Sequence, residues 1–129
     1  MQSRVEWQGE TSLIAINSDN QSIELDWDNG PNPMQITLQM VGSCAIADVV
    51  IGLKEREFTK VWVELEATRV DTTPRHFSSI KMVFHVTGNA PQKLVERIAI
   101  KAVEKYCSVA HSLHPDIEIT TAAIVHSID

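Results

Sequence analysis

The sequence predicts an α+β fold with the element order βββ–α–ββ–α–β. Three observations carry this. Apolar residues alternate in and out along several short stretches, the signature of half-buried strands. Two longer runs have helical character, and each opens on a proline. Clusters of Gly, Pro, Asn and Asp stand between these segments rather than inside them. A chain of 129 residues fits a single domain over 1–129.

The first thirty residues read as strands. Arg4–Trp7 is a short run, Gly9-Glu10 a turn, and Ser12–Asn17 a second run rich in Ile and Leu. Ser18-Asp19-Asn20-Gln21 is a polar turn, and Ser22–Trp27 sets Ile23, Leu25 and Trp27 on one face. A meander of antiparallel strands is the simplest arrangement. Asp28-Asn29-Gly30-Pro31-Asn32-Pro33 breaks the pattern and starts a helix, with Asn32 as its N-cap and Pro33 at its first position. The helix is expected to run to about Glu57. Its apolar residues, among them Ile36, Met40, Val41, Ala45, Val49 and Ile51, go most of the way round. A helix of that kind is buried on nearly all sides, and one small sheet cannot cover it, which points to a dimer. Gly42 and Gly52 allow another backbone close, or a kink.

Lys60–Val70 alternates, with Val61, Val63, Leu65 and Ala67 facing one way. Asp71–His76 is a loop. Ser79–Thr87 alternates again, with Ile80, Met82, Phe84 and Val86 inward. Gly88-Asn89-Ala90-Pro91 leads into a second, amphipathic helix carrying Leu94, Val95, Ile98, Ala102, Val103 and Tyr106, and Cys107 falls near its end. Pro115 ends the segment after Cys107, and Asp116–Val125 is a final strand.

Composition narrows the function. Apolar residues make up 43% and charged residues 22%, ordinary for a soluble globular protein. No window is expected to reach the roughly 20 apolar residues of a membrane span, and the N-terminus has no apolar signal core. Eleven basic against seventeen acidic residues give a net charge of −6, which argues against nucleic acid. Two cysteines are too few for a secreted disulfide scaffold, so a reducing cytoplasm is expected. The acids Glu6, Glu10, Asp19, Glu24, Asp26 and Asp28 crowd the first strands and read as a solvated surface.

Cysteines and histidines hold what reactivity the chain offers. Cys44 lies midway down the first helix, beyond the turn over which a helix dipole acts strongly. By itself a buried cysteine behaves as a small hydrophobe. If Cys107 meets it in space, one thiol can attack a substrate and the other can resolve the product as a disulfide. The spacing of Cys107, His111 and His114 is a weak zinc signal, with no second close pair, and no metal site is expected. His76, His85 and His126 read as structural or exposed. Neither a nucleophile elbow nor a glycine-rich phosphate loop is present.

Gly30-Pro31-Asn32-Pro33-Met34, then Gly42-Ser43-Cys44 and Asp48-Val49-Val50, resemble the OsmC/Ohr superfamily. Phe77-Ser78-Ser79-Ile80, Glu96-Arg97 and Glu104-Lys105-Tyr106-Cys107-Ser108-Val109 extend the resemblance, which covers about Val5 to Val125. The short YhfA-like branch is nearest. The resemblance implies an OsmC-like fold, antiparallel sheets around a buried central helix in an intertwined homodimer, with active sites at the subunit interface. It implies a two-cysteine, thiol-dependent organic hydroperoxide reductase serving oxidative stress defence. Cys44 would be the peroxidatic cysteine, Cys107 the resolving one, and a lipoyl-type dithiol the reductant, with no metal, flavin or other cofactor. Nucleic acid and membrane are not expected partners. Met34 and Gln35 fall at the substrate pocket, where family peroxidases carry an acid that orients an arginine. Asn17–Ser22 holds no arginine, so Arg75 is the candidate to activate the thiolate. The alternative is a non-catalytic member that binds an apolar ligand at the dimer interface.

Overall fold

The computed structural model describes residues 1–128. The chain forms two units, Met1–Leu38 and Gln39–Asp129.

The first unit is the expected meander. Strands β1 (Ser3–Gly9), β2 (Ser12–Asn17) and β3 (Ser22–Asp26) pair antiparallel in that order. The register sets Val5, Ala15 and Ile23 side by side, and next to them Trp7, Leu13 and Leu25. Val5, Trp7 and Ile23 are exposed. The Asp26 carboxylate closes the end of the meander. It accepts the Thr11 hydroxyl at 2.6 Å and the backbone N–H groups of Asp28 and Asn29 at 3.0 and 2.8 Å. These bonds hold the carboxyl down at about 2, the Thr11 hydroxyl contributing most.

Helix α1 (Pro33–Gly52) starts where expected, and its cap is reciprocal. Asn32 Oδ1 accepts the Gln35 N–H, and Gln35 Oε1 accepts the Asn32 N–H, both at 2.9 Å. This is a capping box with glutamine in the third helical position. The helix ends at Gly52, short of the expected Glu57. Beyond it the Leu53 N–H is shared between the Val49 and Val50 carbonyls, and tight turns carry the chain to Glu57 while Leu53 is buried. Contrary to expectation, α1 is long and apolar enough to cross a bilayer. Its row Val41, Ala45 and Val49 is nevertheless fully buried within the protein.

In the second unit β4 (Phe58–Arg69), β5 (Phe77–Gly88) and β6 (Glu118–His126) form a sheet in that order. The antiparallel pattern expected of both sheets holds for β4–β5, whereas β6 runs parallel to β5. A parallel pair needs a long crossover, and α2 (Gln92–Lys101) with the turns after it provides one. The Gln92 amide fastens α2 to β6, donating to the Ala123 carbonyl at 2.5 Å and accepting the Val125 N–H at 3.2 Å. Ile80, Met82, Phe84 and Val86 of β5 are buried as expected, together with Val95 and Ala99 of α2.

A polar row crosses this sheet through the side chains of Glu64, His85 and His126. His85 Nδ1 and His126 Nε2 are 2.9 Å apart. His85 Nε2 lies 2.6 Å from Glu64 Oε1, close enough for an ion pair but at an angle poor for a hydrogen bond. Trp62 stacks on both imidazoles.

Two outcomes are expected for the first unit. Asn32→Ala and Gln35→Ala each lower stability by about 1 kcal/mol. Because they break one reciprocal motif, the double variant loses less than the sum in a denaturant double-mutant cycle. The lowered Asp26 carboxyl favours the folded state above its ordinary value of 3.8, and that contribution is lost as pH falls through about 2. The amide protons of Asp28 and Asn29 are therefore expected to titrate near 2 rather than 3.8 when followed by NMR.

Candidate functional site

Helix α1 positions Cys44. One helical turn before Cys44, the Val41 carbonyl faces the Cys107 thiol. At Gly42 the helix comes close to β4, where an added Cβ would stand 2.8 Å from Leu65 Cδ1. At Gly52 the corresponding distance to Ile98 Cγ2 of α2 is 2.9 Å. The close approach expected of these glycines is thus to side chains of β4 and α2. Cys44 itself is half-buried. Met40 and Asp48 lie one turn to either side of it on α1.

Cys107 is fully buried, but not in the helix expected for it. Helix α2 stops at Lys101, a π turn spans Ala102–Tyr106, and Cys107 is extended, with φ −73° and ψ 99°. It caps the short helix α3 (Ser108–His111) with sulfur. Its Sγ accepts the Ala110 N–H at 3.3 Å, as a serine or aspartate oxygen would. Toward α1, the same thiol lies 3.9 Å from the Val41 carbonyl oxygen. Helix propensity in 102–107 gives no warning of this break.

The structure brings the two cysteines together as free thiols, with Cys44 within hydrogen-bonding reach of Cys107. Burial pushes the Cys107 thiol above the usual thiol range. The Ala110 N–H opposes that rise, and the neighbouring Cys44 adds to it. Cys107 therefore keeps its proton at neutral pH. A half-exposed thiol touching a buried, protonated one is a pair able to give up two electrons by closing a disulfide.

The remaining candidates are placed differently. Arg75 is exposed on the β4–β5 loop, and its hydrogen bonds go to that loop and to the end of β4. Its Nε donates to the Val70 carbonyl at 3.4 Å, and its own carbonyl accepts from Arg69 Nε at 2.7 Å. Gln35 spends its side-chain oxygen on the α1 cap, and Met34 beside it is half-buried. His111 Nε2 donates to the Glu104 carbonyl at 2.7 Å, and His114 Nδ1 accepts the Asp116 N–H at 3.1 Å. Among the described residues no group of three or more His, Cys, Asp or Glu is arranged to hold a metal.

Known proteins with the same fold share this arrangement of elements. The family model of OsmC-like proteins matches residues 26–122. Protein YhfA of Escherichia coli (strain K12) is 32% identical over 126 residues, covering 93% of this chain and 94% of that protein. A hypothetical protein from Aquifex aeolicus VF5 has a TM-score of 0.90 at 25% identity, over 99% of this chain and 97% of its own. An organic hydroperoxide resistance protein OsmC from Legionella pneumophila has a TM-score of 0.70 at 16% identity, over 95% and 96% of the two chains, a likeness of fold alone. With most of its length matched by the family model and a relative above 30% identity along nearly all of it, this chain belongs to the OsmC-like protein family.

Proposed function

We propose that the protein reduces organic hydroperoxides to alcohols, with Cys44 as the attacking thiol and Cys107 as the resolving one. The observation that carries this reading is the contact between a half-exposed Cys44 and a buried Cys107. The name of the Legionella pneumophila neighbour, an organic hydroperoxide resistance protein, agrees with it.

The chemistry balances in three stages. Cys44 loses its proton, and the thiolate attacks the outer oxygen of the peroxide. The O–O bond breaks, the departing alkoxide takes up a proton and leaves as the alcohol, and Cys44 is left as a sulfenic acid. The Cys107 sulfur then attacks the Cys44 sulfur. Hydroxide leaves, takes the Cys107 proton and departs as water, and a disulfide remains. A dithiol of the lipoyl class reduces that disulfide by two exchange steps and is itself oxidised to a cyclic disulfide. No metal or flavin enters, and the reaction belongs in a reducing compartment such as the cytoplasm. Arg75 becomes the activating cation in this reading only by leaving the Val70 carbonyl it now meets.

The same reading makes the working form a homodimer. Val50 and Ile51 on α1 and Val5, Trp7 and Ile23 on the first sheet are large apolar side chains left in solvent. A second copy would cover them and wall off an apolar pocket for the substrate.

Reduced protein treated with cumene hydroperoxide is expected to lose two hydrogens by mass as the disulfide closes. Cys107→Ser stops at a Cys44 sulfenic acid that dimedone traps, and Cys44→Ser consumes no peroxide. Folded wild-type protein that keeps both thiols through this treatment would instead favour the apolar-ligand reading. Light scattering at micromolar concentration is expected to give twice the mass of the chain, and a stable monomer there refutes the homodimer.

A further inference from the structure

Asp48 is the charged neighbour of Cys44 that the chemistry above leaves unused. On α1 it stands four residues after Cys44, a spacing that puts their Cβ atoms about 5–6 Å apart on one face. The row Val41, Ala45, Val49 runs alongside and is buried, so Cys44 and Asp48 share the neighbouring, half-open strip. Asp48 forms no ion pair among the described residues. Nothing on α1 offsets its charge either. The helix has no basic residue in its last turn, and its C-terminal carbonyls add partial negative charge of their own. Arg75, the cation the sequence suggests for this thiol, is held at the Val70 carbonyl. The other exposed side chains on this part of α1, Gln39, Met40, Ser43, Ala47, Val50 and Ile51, carry no charge.

We propose that Asp48 sets the charge class of the peroxide, admitting neutral alkyl and aryl hydroperoxides to Cys44 and turning away those that carry a carboxylate near the O–O bond. This rests on the reading of Cys44 as the peroxide-reducing thiol. A neutral hydroperoxide reaches the sulfur past Met40 and Ile51 at no electrostatic cost. An anionic one must bring its charge within several ångströms of an unpaired carboxylate. Asp48 acts here on selection and takes no bond-making part.

The test uses a matched pair of substrates, a tertiary alkyl hydroperoxide bearing a nearby carboxylate and the methyl ester of the same molecule. The rate of Cys44 oxidation is measured for each with the reduced full-length protein, and the ratio of the two rates is the readout. Any effect of a substitution on the thiolate or on folding is common to both substrates and cancels in the ratio. Asp48→Asn is expected to raise the carboxylate's rate relative to the ester's by roughly threefold to tenfold. Asp48→Glu, which keeps the charge, is expected to retain the wild-type ratio. Added salt narrows the wild-type preference and leaves that of Asp48→Asn unchanged. If both peroxides oxidise Cys44 and the ratio is the same in wild type and Asp48→Asn, Asp48 does not select by charge. A fall in both rates by one factor, as expected if Asp48 carried a proton to the leaving alcohol, also overturns the proposal. If neither peroxide oxidises wild-type Cys44, the reading of the site as a peroxide reductase fails first and this one falls with it.

Discussion

The close approach of α1 to β4 and α2 is the constraint on which the second unit depends. At Gly42 and Gly52 the helix presents no side chain, and the space is filled by Leu65, Val63 and Ile98. A larger residue at either place would meet the Leu65 and Ile98 side chains, which would have to give way or let the helix shift. Such a shift would carry the Val41 carbonyl away from the Cys107 sulfur it faces at 3.9 Å. The thiol contact one turn further along α1 would go with it. The spacing at these glycines thus bears on how α1 seats Cys44 beside Cys107.

The same helix carries one covered and one exposed set of apolar side chains. Val41, Ala45, Val49 and Leu53 find cover inside the second unit, and Met40, Val50 and Ile51 do not. Fully burying a side chain of this size contributes about 1.5–3 kcal/mol. Several of these side chains stay in water, apolar surface that this chain by itself does not bury. Cys44 lies at the boundary between the two kinds of surface, half-buried.

Much of this fold is legible in the sequence because it is local. Period-two alternation marks the strands, and Asn32-Pro33 marks the start of α1. The reciprocal role of Gln35 is equally local, since it stands three residues after Asn32, yet family resemblance assigns that residue to a pocket instead. Other features lie beyond any local pattern. The parallel pairing of β6 depends on the crossover rather than on β6 itself. The row Glu64, His85 and His126 draws one residue from each of three strands far apart in the chain. Cys107 leaves the helical path for tertiary reasons, with its sulfur held between the Ala110 N–H and the Val41 carbonyl, although the residues around it favour a helix. Motif alone singles out both cysteines. That they touch is a property of the fold, and no spacing in the sequence implies it.

The placement of the tryptophans gives the protein two optical reporters of different character. Trp7 and Trp27 are 68% and 51% exposed and belong to the first unit, so a dissolved quencher such as iodide reaches them directly. Trp62 belongs to the second unit. Its indole stacks on His85 at 4.5 Å and on His126 at 5.2 Å, and the Lys60 ammonium stands 4.8 Å from its ring centre. Its emission is thereby tied to the arrangement of β4, β5 and β6 and shielded in part from collision. Intrinsic fluorescence recorded with and without quencher thus separates the unfolding of the meander from that of the mixed sheet, without any label being added to the chain.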